Sequence, residues 1–257
     1  RNTARYMLGN LSDFNPSEHT LETVSLSELD KLALGRLDDL VARVNHAYEN
    51  YEFHTVYRNL VDYVAVDLSA LYLDVVKDRL YSDRADAPRR RAVQAVLFTI
   101  TSALARIAAP ILCFTAEDVW KHMPDWEGKA SSVHLCDLPE GKLLAEDSPE
   151  VLTWNTLRKY RDLSGKALEE FRAQKHRSED ACLTIHAPAE DREILGQSLA
   201  TFAELAIVSK AVLGDEKDGR IEVSEAPGTR CERCWRWYEE MSSDAPDVCL
   251  RCAEALT

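Results

Sequence analysis

The feature that most restricts this chain is a pair of Cys-x2-Cys turns near its end. Cys231 and Cys234 form the first, 14 residues follow, and Cys249 and Cys252 form the second. Two cysteines at this spacing make a tight turn that aims both sulfurs at one point. Two such turns supply four thiolates in a tetrahedron, the closed geometry of a single structural zinc ion. With all four positions filled by protein, no site is left for a reactive water, so no catalytic metal and no catalytic residue is assigned. Thiolates favour zinc or an iron–sulfur centre over magnesium or calcium, and a pair of disulfides or a redox Cys-x2-Cys is the competing reading. The remaining cysteines, Cys113, Cys136 and Cys182, are scattered, and Cys113 and Cys182 are expected to be buried thiols among apolar neighbours. That usage fits a reducing cytoplasm rather than a disulfide framework.

A mainly α fold is expected, an antiparallel helix bundle followed by a small α+β unit and the four-cysteine module. Ser27 with Asp30 offers a cap, and Leu29, Leu32, Ala33, Leu37, Leu40, Val41, Val44, Ala47, Tyr48 and Tyr51 follow at helical spacing. A second helix is read over 54–81, with Leu60, Val64, Leu68, Leu71 and Val75 inward. A third runs from Pro88 towards Ala109, where Pro110 ends it, and a fourth starts from a cap at Thr115. Residues 125–150, punctuated by Pro and Gly, are expected to be a linker. A charged helix follows from about Pro149 to Lys175, then strands near 181–187, 207–213 and 220–223 around a helix at 190–206. The domains read as 1–124, 125–150, 151–226 and 227–257. No run reaches the roughly 18 uninterrupted apolar residues of a membrane helix, and no membrane partner is expected. The chain begins in helix without Met or a secretory signal, so it is expected to be a piece of a longer protein.

A net charge of −13 argues against an RNA partner across the whole surface. The distribution leaves local strips open: residues 151–180 carry seven Lys and Arg against five Asp and Glu. Around the cysteines stand Arg230, Arg233, Trp235, Arg236, Trp237, Tyr238 and Arg251. Arginine beside flat rings is the composition of a surface that stacks bases and contacts phosphates. A miniature core over the metal turn is the competing reading, more so for Trp237 and Tyr238 than for Trp235.

Four segments carry a family resemblance. Arg1-Asn2-Thr3-Ala4-Arg5-Tyr6-Met7-Leu8-Gly9-Asn10-Leu11 resembles the stretch that leaves the catalytic domain of isoleucyl-tRNA synthetases. Tyr72-Leu73-Asp74-Val75-Val76-Lys77-Asp78-Arg79-Leu80-Tyr81 resembles the long helix of their anticodon-binding bundle, and Ala109-Pro110 through Val119-Trp120 its next turn and helix. Cys231-Glu232-Arg233-Cys234-Trp235 with Cys249-Leu250-Arg251-Cys252 is similar to the zinc module of the bacterial enzymes. The resemblance implies the tRNA-binding C-terminal part of an isoleucine–tRNA ligase, a cytoplasmic monomer. Its partners would be isoleucine tRNA and the catalytic and editing domains of the same enzyme. ATP would bind only in the catalytic domain. No segment like His-Ile-Gly-His or Lys-Met-Ser-Lys-Ser is present, so this chain alone is expected neither to activate isoleucine nor to edit.

The residues expected to meet tRNA are Trp235 by stacking and Arg233, Arg236 and Arg251 on phosphates or base edges. Lys77 and Arg79 at a helix end, and Arg1 and Arg5 on one helical face, complete the set. For Lys77 and Arg79 the helix dipole is an equal explanation, and Asp74 and Asp78 read as ion-pair partners. Arg89, Arg90 and Arg91 open a helix, where cations are mildly unfavourable; that leaves a surface role open, but a solvated face is the preferred reading. Arg158, Lys159, Arg161, Lys166, Arg172, Lys175 and Arg177 form a strip interleaved with acids. The alternative function is a helical zinc-containing protein-interaction module that does not bind RNA.

Overall fold

The structure, a computed structural model, describes residues 1–143, 145 and 147–256. The chain is mostly helical and folds into two units. The first comprises Arg1–Leu80 and Ala85–Ala145; the second comprises Tyr81–Arg84 and Glu146–Thr257.

In the first unit, α1 spans Asn2–Asn10 and α2 spans Glu28–Glu49. The Ser27 hydroxyl accepts from the Asp30 amide, and Asp30 accepts from the Ser27 amide, a complete capping box. The expected stripe of α2 is buried from Leu29 to Ala47. Tyr48 donates to the Ile107 carbonyl at 2.7 Å, and Tyr51 lies beyond the helix end, exposed.

The next helix is continuous over Phe53–Ser82 apart from a small irregularity, but its winding is not uniform. α3 spans Phe53–Asp62, Tyr63–Tyr72 is wound as a π-helix, and α4 (Leu73–Val75) and α5 (Lys77–Ser82) complete it. The looser winding changes which residues face inward. Val56 and Leu60 are buried four apart; Tyr63, Leu68 and Leu73 are buried five apart. Val64, expected inside, is therefore displaced to the margin and Tyr63 takes its place.

α6 (Pro88–Ala108) opens on its proline and is the one helix, among the described residues, long and apolar enough to cross a membrane. It serves instead as a core element: Val93, Val96, Leu97, Ile100 and Ile107 are fully buried, each contributing roughly 1.5–3 kcal/mol. α7 spans Cys113–His122 and starts two residues before the expected cap at Thr115. Cys113 is exposed, not buried, because it opens α7 before the helix meets the core at Ala116 and Trp120.

Part of the stretch read as linker, 125–150, packs onto this unit. Met123 and Val133 join Trp120 in one cluster, and Trp126 meets Phe98 and Trp120 edge-on at 5.1 and 5.3 Å. Glu117 accepts from the Ser132 hydroxyl and the Val133 amide at 2.8 and 3.0 Å.

The arginines that open α6 are also structural. Arg90 grips the Asp13 carboxylate with both terminal nitrogens at 2.7 and 3.0 Å, and Arg91 donates to the Asp13 carbonyl at 2.7 Å. Gln94 adds bonds to Asp13 and to the Asn10 carbonyl. The Arg90 hydrogen bond, aided by Gln94 and opposed by partial burial, pulls the Asp13 pKa down to about 2. A depressed carboxylate stabilises the fold above its ordinary value of 3.8 and ceases to do so as pH falls through its folded value. Wild type is therefore expected to exceed Asp13→Asn in stability at neutral pH, with the gap closing between about pH 4 and pH 2. Urea midpoints measured across that range test this; a gap independent of pH would assign the effect to packing.

In the second unit, α8 spans Pro149–Ala173, with Ser148 accepting from the Val151 amide as its cap. It packs on a three-stranded sheet in the order β2-β1-β3. β1 (Ala181–Ile185) is central, parallel to β2 (Lys210–Leu213) and antiparallel to β3 (Ile221–Glu225). The expected single helix between β1 and β2 is two, α9 (Ala189–Gln197) and α10 (Leu199–Leu205), broken at Ser198 after the weak helix former Gly196. Trp154, Leu157, Tyr160 and Phe171 from α8, with Leu183, Ile185 and Phe202, form the core. A short ribbon of β4 (Thr229–Arg230) and β5 (Trp237–Tyr238), then α11 (Leu250–Glu254), complete the chain. Gly228 enters that ribbon at φ +99°, and a Cβ there would lie 2.1 Å from the Tyr238 carbonyl oxygen.

Candidate metal centre

The two Cys-x2-Cys turns come together as the sequence spacing requires. The sulfurs of Cys231, Cys234, Cys249 and Cys252 all lie within 4.8 Å of one another. Cys234 and Cys249 are 3.9 Å apart, sulfur to sulfur. That is far beyond a disulfide of about 2.05 Å, and close to the edge of about 3.8 Å that four sulfurs at about 2.3 Å from a tetrahedral ion would show. Four cysteines so placed could hold a metal ion.

Local geometry favours the thiolate at Cys231, whereas burial pushes the thiols of Cys249 and Cys252 up. The Cys249 amide donates to the Cys231 sulfur at 3.3 Å. Burial alone would raise the Cys231 thiol. Backbone donors from Cys234, Cys249 and Arg233 outweigh it and bring the pKa down to about 6. The Tyr238 hydroxyl lies 3.7 Å from the Cys234 sulfur, and Tyr238, Met241, Val248 and Ala253 close over the cluster. Tyr238 is thus part of the miniature core. Trp237 is held instead by hydrogen bonds outside that cluster: its indole N–H donates to Asp180 at 2.9 Å, and its amide donates to the Ser209 hydroxyl at 2.8 Å.

The expected RNA contacts divide sharply. Arg233 donates to the Ser82 carbonyl and lies 3.6 Å from the Cys252 sulfur. Arg236 donates to the Val208 carbonyl at 2.6 Å, and Arg251 pairs with Asp83 at 3.2 Å. These three guanidinium groups tie the module to its own unit. Arg79 does not fit a phosphate contact: it is 4% exposed and pairs at 3.1 Å with Asp30, which is fully buried. Lys77 is exposed but bonded to Asp74 at 2.7 Å, the expected ion pair. Arg1 and Arg5 are exposed on α1. Arg1 also edges an apolar pocket of about 410 Å³ beside Met7, Leu60, Leu104 and Val119.

Trp235 is the exception. It is 45% exposed and holds φ at +63°, in the left-handed region. A non-glycine residue there costs about 1–2 kcal/mol. The turn imposes it: the Trp235 amide donates back to the Cys231 carbonyl at 2.9 Å. One face of its ring is covered by the Arg177 guanidinium, 4.3 Å from the ring centroid. Arg177, read in the sequence only as one charge of the α8 strip, lies 58 positions earlier in the chain, and no local signal links the two.

Residues 30–185 match the family described as the anticodon-binding domain of tRNA ligase, and the chain belongs to that family. Over its whole length it is 39% identical to the isoleucine–tRNA ligase of Geobacter sulfurreducens, and over 98% of its length 39% identical to that of Desulforamulus reducens. The isoleucine–tRNA ligase of Carboxydothermus hydrogenoformans is 38% identical over the full chain. The chain spans 29% of the length of each of these relatives.

Proposed function

We propose that this chain is the C-terminal, tRNA-binding part of an isoleucine–tRNA ligase. It recognises the anticodon stem-loop of isoleucine tRNA and positions the tRNA for ATP-dependent aminoacylation by a catalytic domain outside the chain. The carrying observation is a family match over residues 30–185 together with identity to isoleucine–tRNA ligases that extends through the cysteine module. In this reading, residues 1–124 are an antiparallel anticodon-binding bundle, 125–150 connect it, 151–226 form a junction domain and 227–257 a zinc-binding module. The working protein is a cytoplasmic monomer.

The ion proposed at Cys231, Cys234, Cys249 and Cys252 is one structural zinc. Four thiolates around a dication leave a charge of about −2, which the nearby Arg233 guanidinium offsets. Zinc here fixes the turn that presents Trp235. The anticodon loop offers unstacked bases, and an exposed, rigidly held indole is the side chain that suits them. Arg1 and Arg5 are exposed on the helical unit and stand open to phosphate, while Lys77 is exposed but shared with Asp74. Arg233, Arg236 and Arg251 support the module, and Arg79 supports the helices.

Base stacking is worth about 1–3 kcal/mol per base. Trp235→Ala is therefore expected to weaken binding of isoleucine tRNA by about tenfold or more, read by titration at several salt concentrations. Equal binding of an unrelated RNA of the same length would refute anticodon recognition and favour the protein-interaction alternative.

A further inference from the structure

The contact between Arg177 and Trp235 joins two parts of the second unit that are remote in sequence. Arg177 follows the end of α8, after a turn through Lys175 at φ +71°. Trp235 follows the second metal-site cysteine. Asp180, the nearest acid in sequence on that turn besides Glu179, is committed elsewhere. Its carboxylate accepts from the Trp237 indole at 2.9 Å and from the backbone amide of Arg177 at 2.8 Å.

Two independent observations set this pair apart from the rest of the module. First, Arg233, Arg236 and Arg251 direct their donors at Ser82, Val208 and Asp83. The Arg177 guanidinium has no ion pair and donates no side-chain hydrogen bond among the described residues, while resting 4.3 Å over an indole. A guanidinium carries five N–H donors, and here the ring holds it in place without consuming them. Secondly, the indole beneath it is exposed on a left-handed backbone where glycine would sit unstrained. Strain kept at an exposed aromatic is not repaid by burial and points towards a ligand.

We propose that Arg177 and Trp235 act as one RNA-binding element. A base stacks on the open part of the indole, and Arg177 donates to a phosphate flanking that base. The cation–ring contact fixes the guanidinium before RNA arrives, so less side-chain freedom is lost on binding. Arg177 is then a positioning and phosphate-binding residue for the anticodon loop. This inference rests on the tRNA-binding reading given above.

The test uses the whole chain with its metal, titrated with isoleucine tRNA across a salt series. Arg177→Ala is expected to weaken binding about 3- to 10-fold. It should also lower the slope of log affinity against log salt by about 0.7–0.9, the signature of one phosphate fewer neutralised. Arg177→Lys is expected to keep the slope and recover part of the affinity. The Arg177→Ala, Trp235→Ala double variant should lose less than the product of the single losses, because the two act as a unit. Metal content identical to wild type in Arg177→Ala shows that the module is intact. If Arg177→Ala binds with wild-type affinity and slope while Trp235→Ala is weak, the proposal is overturned and the tRNA-binding reading survives. If wild type itself binds no tRNA, both are overturned.

Discussion

Stripping the metal from the cysteine cluster, or replacing Cys231 with Ser, is expected to unfold residues 227–257 while the helical first unit stays folded. The module has almost no other core. Its buried apolar cluster is Cys231, Val248, Cys249 and Cys252, with Tyr238, Met241, Ala245 and Ala253 only partly buried around them. Three of the four positions in that cluster are therefore proposed ligands. The ribbon of β4 and β5 is two residues per strand, and α11 is five residues long. Neither persists alone in water. Metal binding to such modules is worth about 10–16 kcal/mol and is their folding energy. With it removed, Trp235 would leave its strained backbone conformation and Arg177 would no longer rest on the ring. The readout is limited proteolysis and backbone NMR after a chelator, with metal release quantified. Cleavage should concentrate beyond about residue 226, while α2 and α6 remain protected. A protected module after verified metal removal would falsify the structural role of the ion.

The second large effect lies in the first unit. Arg79→Ala is expected to destabilise it by about 3–5 kcal/mol, the cost of leaving a buried charge without its partner. Asp30 is fully buried, and its carboxylate accepts from Arg79 at 3.1 Å and from the Tyr72 hydroxyl at 2.8 Å. The same Arg79 nitrogen donates to the Ser27 hydroxyl at 3.0 Å, so the network also holds the cap of α2. Burial, with the Asp30 charge next, keeps the Tyr72 phenol well above its ordinary pKa, so it remains a donor. Asp30→Asn combined with Arg79→Met removes both charges and should lose clearly less than the two single changes together. Urea denaturation of the four proteins measures this. A loss below about 1 kcal/mol in Arg79→Ala would mean that water or another cation compensates Asp30.

These two networks explain why cations near the expected RNA surface divide into scaffolding and free groups. An arginine that meets a carboxylate or carbonyl of its own fold holds a module together. One that lies over a ring with its donors unspent is open to phosphate. Only Trp235 among the aromatics of the module combines exposure with such a neighbour. Trp237 and Tyr238 turn inward to Asp180 and to the sulfurs.

Several elements were readable from residues alone because their causes are local. The Cys-x2-Cys spacing sets the turn that converges the sulfurs, whatever surrounds it. Ser27 with Asp30, Pro88 and Pro149 mark helix starts because capping and proline geometry act within one turn. The stripe of α2 follows from 3.6-residue periodicity. Other assignments depended on partners that the sequence does not reveal. The π-winding of Tyr63–Tyr72 shifts the inward phase, and no residue type announces it. The α6 arginines read as surface charges until Asp13 is brought to them from 77 positions away. Arg79 reads as a helix-end cation until Asp30 is found beneath it. Arg177 and Trp235 meet only because the end of α8 and the first cysteine turn are carried together. Local chemistry is written in neighbouring residues, but the fate of a charge is set by the group that tertiary packing places against it.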